Sequence, residues 1–129
     1  MNKQMIQLTL ILDGLRSAHN VGAILRTCDA AGVRRVLACA TTPYPRVPND
    51  PRDPVVAARN NREIAKTALG AEKTVMVEYI NDTASAIARC RAQNCTLIGL
   101  EQAPDAVNIL SLTHPARIAL IVGNEVAGL

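Results

Sequence analysis

The strongest constraint on the fold is a repeated alternation between short apolar runs and segments with helical spacing. The five apolar runs are residues 6–12, 33–40, 74–78, 96–100 and 118–122. Each has the length of a buried strand and ends in polar or turn-forming sequence. Strands that alternate with helices predict an α/β domain with a mostly parallel five-stranded sheet flanked by helices. We expect residues 1–129 to form this one domain.

The segment after the first strand predicts a helix that packs on the sheet. Asn20 is the expected N-cap, and Gly32 is the expected end. The apolar residues between them follow helical spacing. They are Val21, Ile24, Leu25 and Cys28.

Two further helices are predicted. Residues 55–69 are helical in pattern, with a break or fraying expected around Asn60-Asn61. A third helix is expected from Asp82 or Thr83 to about Gln93. Residues 101–115 between the last two strands read mostly as loop.

Residues 41–54 are expected to form a long loop. Proline lacks the backbone N–H that helix interiors and central strands need. Five prolines lie in this stretch: Pro43, Pro45, Pro48, Pro51 and Pro54. Long loops in compact domains are often functional, although a simple surface excursion is the alternative.

The composition indicates a cytoplasmic protein. No apolar run approaches the ~18 residues of a membrane span, and the N-terminal sequence lacks a signal-peptide cleavage pattern. The four cysteines form no CxxC pair, so neither a metal site nor a disulfide framework is predicted.

The charge balance permits a phosphate-rich partner without requiring one. The formal net charge is +3, and the only aromatic residues are two tyrosines. That shortage argues against a platform on which single-stranded bases stack. A phosphate-facing rim or ordinary charged surface would both account for five arginines. They are Arg16, Arg34, Arg35, Arg46 and Arg52.

Three polar loops are expected to converge on one edge of the sheet. In parallel sheets, ligands bind beyond the carboxyl ends of the strands. The loops that leave such ends are residues 13–20, 100–102 and 123–129. The glycine fingerprint of dinucleotide-binding domains is absent after the first strand, which weighs against a small nucleotide-binding enzyme of that class.

Two of these loops carry motifs that resemble the SpoU/TrmH branch of the SPOUT methyltransferases. Residues 20–27, NVGAILRT, are similar to the family's first motif, and residues 119–129, ALIVGNEVAGL, to its second. Residues 66–72 and 99–102 also look like family segments. The resemblance covers almost the whole chain and implies a SPOUT-type α/β fold.

The resemblance implies an RNA methyltransferase. Such an enzyme transfers a methyl group from S-adenosylmethionine to a ribose 2′-oxygen of tRNA or rRNA, as a homodimer, with no metal, membrane or DNA implied. The catalytic residues it implies are Asn20, Arg26 and Glu125. It places the cofactor against Leu100, Gly123, Asn124, Gly128 and Leu129.

Each of these residues also has a simpler interpretation. Arg26 would pair with Asp29 one helical turn away. Glu125 would bind backbone amides and hold its loop in place. Gly22 would let the backbone approach a ligand or pack the first helix on the sheet. His19 and His114 have no evident partner cluster and are expected to be structural or exposed.

The family's third motif, with a Ser-Leu-Asn core, is expected after Leu129. In relatives that segment threads a trefoil knot and completes the cofactor pocket, so the chain is expected to be truncated before it. The alternative function is therefore an RNA-binding relative that transfers nothing.

Overall fold

A computed structural model describes residues 5–113 and 115–129, so the expectation for His114 lies outside the described residues. Its five strands are β1 (Gln7–Asp13), β2 (Arg35–Cys39), β3 (Met76–Ile80), β4 (Thr96–Leu100) and β5 (Arg117–Val122). All four pairings are parallel, in the order β3-β2-β1-β5-β4. The predicted five-stranded α/β sheet is confirmed. The third motif and the knot concern sequence beyond residues 1–129 and stay predictions.

Within residues 5–113 and 115–129, four helices flank the sheet. They are α1 (Ala18–Ala31), α2 (Pro54–Ala68), α3 (Ala71–Thr74) and α4 (Thr83–Ala92), with a 3-10 turn at Ile109–Ser111. The short α3 was not predicted, because one turn of helix is too brief to show a spacing pattern. It includes Thr74, so the third strand lies at Met76–Ile80 and its predicted bounds, residues 74–78, are wrong by two residues. Among the described residues, no helix has the length and apolar character that crossing a membrane requires.

The core has two halves, one on each face of the sheet. Alternate residues of a strand point to opposite faces, so Leu10 and Leu12 of β1 pack with α1, α2 and α3. Ile11 points the other way and packs under α4 with Ala86 and Cys90. These cores fix the helices on the sheet and so position the loops at its carboxyl edge.

The prediction that Asn20 caps α1 is wrong. Helix α1 begins at Ala18, and Ser17 is its N-cap: the Ser17 hydroxyl accepts a hydrogen bond from the Asn20 backbone N–H at 3.1 Å. A serine three residues before a free helix N–H makes the usual capping contact. The Asn20 side chain is therefore left free for other contacts. The predicted end at Gly32 is confirmed.

The predicted break at Asn60-Asn61 is also wrong, because α2 is continuous. Asn61 Oδ1 accepts a hydrogen bond from the Arg46 backbone N–H at 2.9 Å. The side chain is thus engaged with the neighbouring loop instead of competing for its own helix backbone. Asp53 caps the helix at its start, and Pro54 occupies the first position.

Gly22 packs α1 against α2 and not against the sheet. A Cβ at this position would overlap the Thr67 hydroxyl and the Ile64 carbonyl of α2, and would lie 3.0 Å from the Ala68 nitrogen. The glycine therefore permits the close approach of α1 to α2. This contact fixes the direction in which α1 leaves the carboxyl edge of β1.

Candidate functional site

The turn after β1 and the turn after β5 meet at the carboxyl edge of the sheet, as predicted. The two strands are neighbours in the sheet. Asn124 Nδ2 donates to the Gly14 carbonyl at 2.8 Å. Asn124 Oδ1 accepts from the backbone N–H groups of Val126 and Ala127. The Asn124 side chain thus joins the two turns and shapes the second of them.

Glu125 makes the second connection between the turns. Its carboxylate accepts hydrogen bonds from the Arg16 backbone N–H at 3.1 Å and the Ser17 backbone N–H at 3.1 Å. It also accepts one from Asn20 Nδ2 at 3.2 Å. The two family motifs are therefore in direct contact through Asn20 and Glu125.

These donors keep Glu125 ionised. Burial opposes the charge, but the backbone N–H groups of Glu125, Arg16 and Ser17 and the Asn20 amide outweigh it and hold the Glu125 pKa at about 2. The carboxylate is therefore negatively charged at neutral pH and accepts hydrogen bonds without donating any. A carboxylate with so low a pKa is a very weak base.

Asn20 is oriented by this contact. Because Nδ2 donates to Glu125, the amide oxygen of Asn20 faces away from the carboxylate. Within the described part of the chain, no hydrogen bond to that oxygen is formed. An exposed acceptor of fixed orientation is suited to a hydroxyl group of a ligand.

Arg26 is not brought into contact with Asn20 or Glu125. It is exposed on α1, six residues beyond Asn20, which is about 9 Å along the helix axis. It makes no hydrogen bond or ion pair with the residues the structure describes. The alternative pairing with Asp29 is not formed either, since Asp29 accepts from the Thr74 hydroxyl at 2.9 Å. Among the described residues, Arg26 thus presents an unpaired cation on the exposed face of α1.

The loops after β4 and β5 also meet. Glu101 Oε2 accepts from the Leu129 backbone N–H at 2.8 Å, and this bond and one from Gln102 lower the Glu101 pKa. Two glycines make room for the contact. A Cβ on Gly123 would lie 2.5 Å from the Gly128 carbonyl carbon, and one on Gly128 would overlap the Glu101 carboxylate. All five residues expected to bind a cofactor lie in these two adjoining segments.

An apolar cleft opens beside these loops. It lies between β4 and residues 101–112 and has a volume of about 260 Å³. Leu100, Val107 and Ile109 line it, and each exposes more than half of its surface. Exposed aliphatic side chains of this kind are typical of the apolar wall of a small-ligand pocket.

The five arginines do not form one rim. Arg34 and Arg35 lie at the amino edge of β2, the opposite end of the sheet from Arg16. Arg52 is mostly buried and is paired with Asp50 at 2.6 Å. The alternative, ordinary charged surface, fails for Arg52 too, because burial and the ion pair make it part of the loop's interior.

His19 has partners that the sequence did not reveal. Its Nε2 lies 3.0 Å from Glu63 Oε2, and Glu63 also pairs with Lys66 at 2.7 Å. The sequence separation of 44 residues hides this contact. The site contributions of Ser17 and Glu101 were missed as well. Ser17 could have been found as a capping serine before an apolar stripe, whereas Glu101 carried no such signal.

Comparison with solved structures defines the class of fold. The chain matches the AdoMet-bound rRNA methyltransferase from Sinorhizobium meliloti with a TM-score of 0.75 at 22% identity, covering 100% of this chain and 44% of that one. It matches the A. aeolicus TrmH/SpoU tRNA modifying enzyme with a TM-score of 0.73 at 21% identity, covering 98% and 57%. The fold is therefore that of the TrmH/SpoU methyltransferases.

Sequence comparison then identifies the family. The sequence profile of the SpoU rRNA Methylase family matches residues 52–129, so the chain belongs to that family. A 23S rRNA (guanosine-2'-O-)-methyltransferase of Neisseria meningitidis is 31% identical over 122 residues, covering 95% of this chain and 43% of the relative. The Salmonella typhi enzyme of the same name is 32% identical over 120 residues. The chain spans less than half the length of these relatives.

Proposed function

We propose that the protein transfers a methyl group from S-adenosylmethionine to a ribose 2′-oxygen of tRNA or rRNA. The observation that carries the proposal is the contact between the two family motifs: Glu125 accepts from Asn20 and from the β1–α1 turn at the carboxyl edge of the sheet. The names of the matching relatives, which are RNA 2′-O-methyltransferases, support it.

In this proposal, Asn20 orients the ribose. Its amide is held by Glu125, so its free oxygen accepts a hydrogen bond from the 2′-hydroxyl and directs the attacking oxygen toward the methyl donor. The rate enhancement from Asn20 comes from positioning, and positioning contributes more when the reacting group is held more rigidly. Glu125 acts by fixing Asn20 and the turn, because its low pKa makes it unsuitable as a base.

Arg26 supplies positive charge in this proposal. A guanidinium with a pKa above about 12 stays protonated, so it does not take a proton from the ribose. It binds the neighbouring phosphate and stabilises the negative charge that develops on the 2′-oxygen as the hydroxyl proton passes to solvent water. Its free, exposed position on α1 is compatible with that role.

The loops after β4 and β5 fit S-adenosylmethionine. The apolar cleft at Leu100 suits the adenine, and the segment from Gly123 to Leu129 would enclose the remainder of the molecule. Asn124 would act by holding this loop, since its side chain is engaged with backbone groups. When bound, the cofactor supplies an electrophilic methyl group.

We further propose that the protein works as a homodimer in the cytoplasm. An apolar groove of about 350 Å³ runs along α1 and the neighbouring β1 and β5 strands, and Ala23, Ile24 and Leu120 are among its lining residues. A second copy that packs on this groove would place two α1 helices, each bearing an Arg26, near one another.

The test is methyl transfer to total tRNA and to rRNA with tritiated S-adenosylmethionine. We expect label in alkali-resistant dinucleotides, because a 2′-O-methyl group blocks hydrolysis of the adjacent bond. Calorimetry with S-adenosylmethionine measures cofactor binding separately. Arg26→Ala is expected to abolish transfer and leave the thermal unfolding transition unchanged, whereas full transfer by that variant would remove Arg26 from the mechanism.

Two outcomes would contradict the proposal. RNA binding without cofactor binding or transfer would indicate an RNA-binding relative. Label in base-methylated nucleosides, with none in alkali-resistant dinucleotides, would show that the acceptor is not the ribose.

A further inference from the structure

A separate cavity adjoins the site at the carboxyl ends of β1, β2 and β3. Its volume is about 460 Å³, within the ~300–1,000 Å³ range of small-ligand sites. It shares Arg16 with the site described above. The Arg16 backbone N–H donates to Glu125, and Arg16 is also one of the residues that line the cavity. The proposed methyl transfer makes no use of this cavity.

Both aromatic residues of the chain lie at this cavity. Tyr44 and Tyr79 stack with their ring centroids 4.7 Å apart and their planes 12° from parallel. The Arg52 guanidinium lies 3.5 Å from the Tyr44 centroid and so covers the other face of that ring. The scarcity of aromatics counted against base stacking, but their placement concentrates all of them at one point.

The cavity wall is held in place before any ligand arrives. Arg52 donates to the carbonyls of Tyr44 and Pro45 at 2.9 and 3.1 Å and pairs with the largely buried Asp50. The Tyr79 hydroxyl donates to the Ala40 carbonyl at 2.9 Å. Such a wall loses little conformational freedom on binding.

Polar groups without internal partners face this wall. Tyr44 is 4% exposed, and its hydroxyl makes no hydrogen bond with the described residues. In that part of the chain no fully buried side-chain oxygen or nitrogen lacks a partner, so the hydroxyl oxygen keeps some contact with solvent. Asn60 and Arg16 also line the cavity, and neither side chain forms a hydrogen bond with the described residues.

We infer that this cavity binds an unstacked base of the RNA substrate, from the nucleotide next to the methylated one. Single-stranded RNA is recognised by stacking of splayed bases on aromatic and guanidinium planes and by hydrogen bonds to base edges. Because Tyr79 and Arg52 already cover the two faces of Tyr44, the base would stack on the face of Tyr79 that is turned away from Tyr44. Tyr44 and Asn60 offer those edge contacts. Arg16, between the cavity and Glu125, contacts the phosphate that links the two nucleotides. The inference rests on the proposed function for its choice of ligand.

The test is an NMR titration of the ¹⁵N-labelled chain with each of the four nucleoside 5′-monophosphates. Ribose 5-phosphate serves as the probe without a base. We expect at least one nucleotide to shift the backbone amides of Thr41, Asn60 and Tyr79, and ribose 5-phosphate to leave Tyr79 unshifted. If none of the four nucleotides shifts these amides, or if S-adenosylmethionine shifts them, the inference is wrong.

Variants at the rim of the cavity test the individual contacts without disturbing the stacked rings. Asn60→Ala is expected to weaken binding of the best nucleotide about five-fold, the effect of one hydrogen bond. Arg16→Gln is expected to weaken binding of a single-stranded RNA oligonucleotide about ten-fold and to reduce the salt slope by about one. The matched control is Arg91→Gln, which removes the same charge from an exposed position on α4. Equal effects of the two arginine variants would overturn the assignment of Arg16.

The outcomes separate this inference from the proposed function. Methyl transfer by a chain whose cavity ignores all four nucleotides would overturn the inference alone. Nucleotide binding in the cavity by a chain that transfers no methyl group to RNA would support the base pocket and contradict the proposed activity.

Discussion

Glu125 shows how one residue can connect motifs that lie at opposite ends of the sequence. Its carboxylate receives donors from Arg16, Ser17 and Asn20, more than 100 residues away. The simpler interpretation, contact of the carboxylate with backbone amides, is confirmed, and these amides belong to the β1–α1 turn. The carboxylate also accepts from Asn20, and the catalytic role of Glu125 stays a prediction. The charge matters because every partner is a donor.

We expect Glu125→Gln to loosen the β1–α1 turn. The glutamine nitrogen would place a donor against the Arg16 or Ser17 N–H, which leaves a hydrogen bond unmade. Hydrogen exchange of these two amides should accelerate about ten-fold, equivalent to ~1.4 kcal/mol. Asp105→Asn, an exposed change in the 101–113 loop, is the control and should leave both amides unaffected.

The same contact predicts a pH dependence with a defined sign. The folded-state pKa of Glu125, about 2, lies below the unfolded value of about 4.3. Its stabilisation is therefore fully present above about pH 4.3 and is lost as the pH falls toward 2. The difference in exchange rates between the wild type and Glu125→Gln should shrink over that interval. A constant difference would contradict the ionised carboxylate.

Asn20→Asp should reverse the electrostatics of the site while nearly preserving its shape. Two carboxylates at hydrogen-bond distance resist joint ionisation, so the pair titrates with one apparent pKa raised. Relative to the wild type, the variant should lose stability as the pH rises from 4 to 7, as measured by urea unfolding. Asn20→Ala lacks the second charge and should show no such trend.

At the scale of elements, the sequence predicted strands better than it predicted helix boundaries. Strand β4 was predicted at residues 96–100 and lies there, because a short apolar run between turns leaves few alternatives. The α1 cap and the continuity of α2 were wrong. Asn20 and Asn61 are both residues that favour helix ends, but their side chains bind partners outside their own helix. Sequence spacing does not contain those distant partners.

The candidate site, like the secondary-structure elements, could be predicted only in part. The meeting of two strand ends follows from the rule for parallel sheets, and the Asn20–Glu125 contact follows from it. The Asp50–Arg52 ion pair and the stacked tyrosines could not be predicted from the sequence, because both depend on how a proline-rich loop folds back on itself. Arg26 shares a motif with Asn20, but helix geometry separates the two side chains.

Gly22→Ala should separate α1 from α2. The added methyl overlaps the Ile64 carbonyl, which is backbone and cannot rotate away. We expect a loss of about 1–3 kcal/mol in the free energy of unfolding, measured in urea. Combining it with Thr67→Ala should restore only part of this loss, because the carbonyl remains. Complete restoration would mean that the hydroxyl alone sets the helix spacing.

Arg52→Ala should disorder the 41–54 loop. It leaves the largely buried Asp50 carboxylate without its partner, and removing one member of a buried ion pair costs about 3–5 kcal/mol. Asp50 is buried at the edge of the fold, so we expect the lower end of that range. A change in tyrosine fluorescence and rapid proteolysis within residues 41–54 would show that the loop is disordered. Arg46→Ala, an exposed change in the same loop, should show neither effect.

For the whole molecule, the apolar groove along α1 is the surface on which the proposed dimer depends. Ala23→Arg would introduce a charge there without entering the core, since Ala23 is exposed. We expect sedimentation velocity to show a monomer with an unchanged melting temperature. Ala88→Arg on α4 is the matched control, and a monomeric wild type would contradict the dimer proposal.

The order of strands in the sheet also determines when the candidate site can form during synthesis of the chain. Strand β5 is inserted between β1 and β4, although it leaves the ribosome after both. Until β5 docks, the backbone N–H and C=O groups along one edge of β1 have no partner strand. Glu125 and Arg16, which are 109 residues apart in the sequence, are not yet in contact. Contacts between such distant residues form slowly. Before β5 docks, a nascent chain can therefore join only β1, β2 and β3 in one sheet. Strand β4 and the contacts at the carboxyl edge are added together when β5 fills the gap.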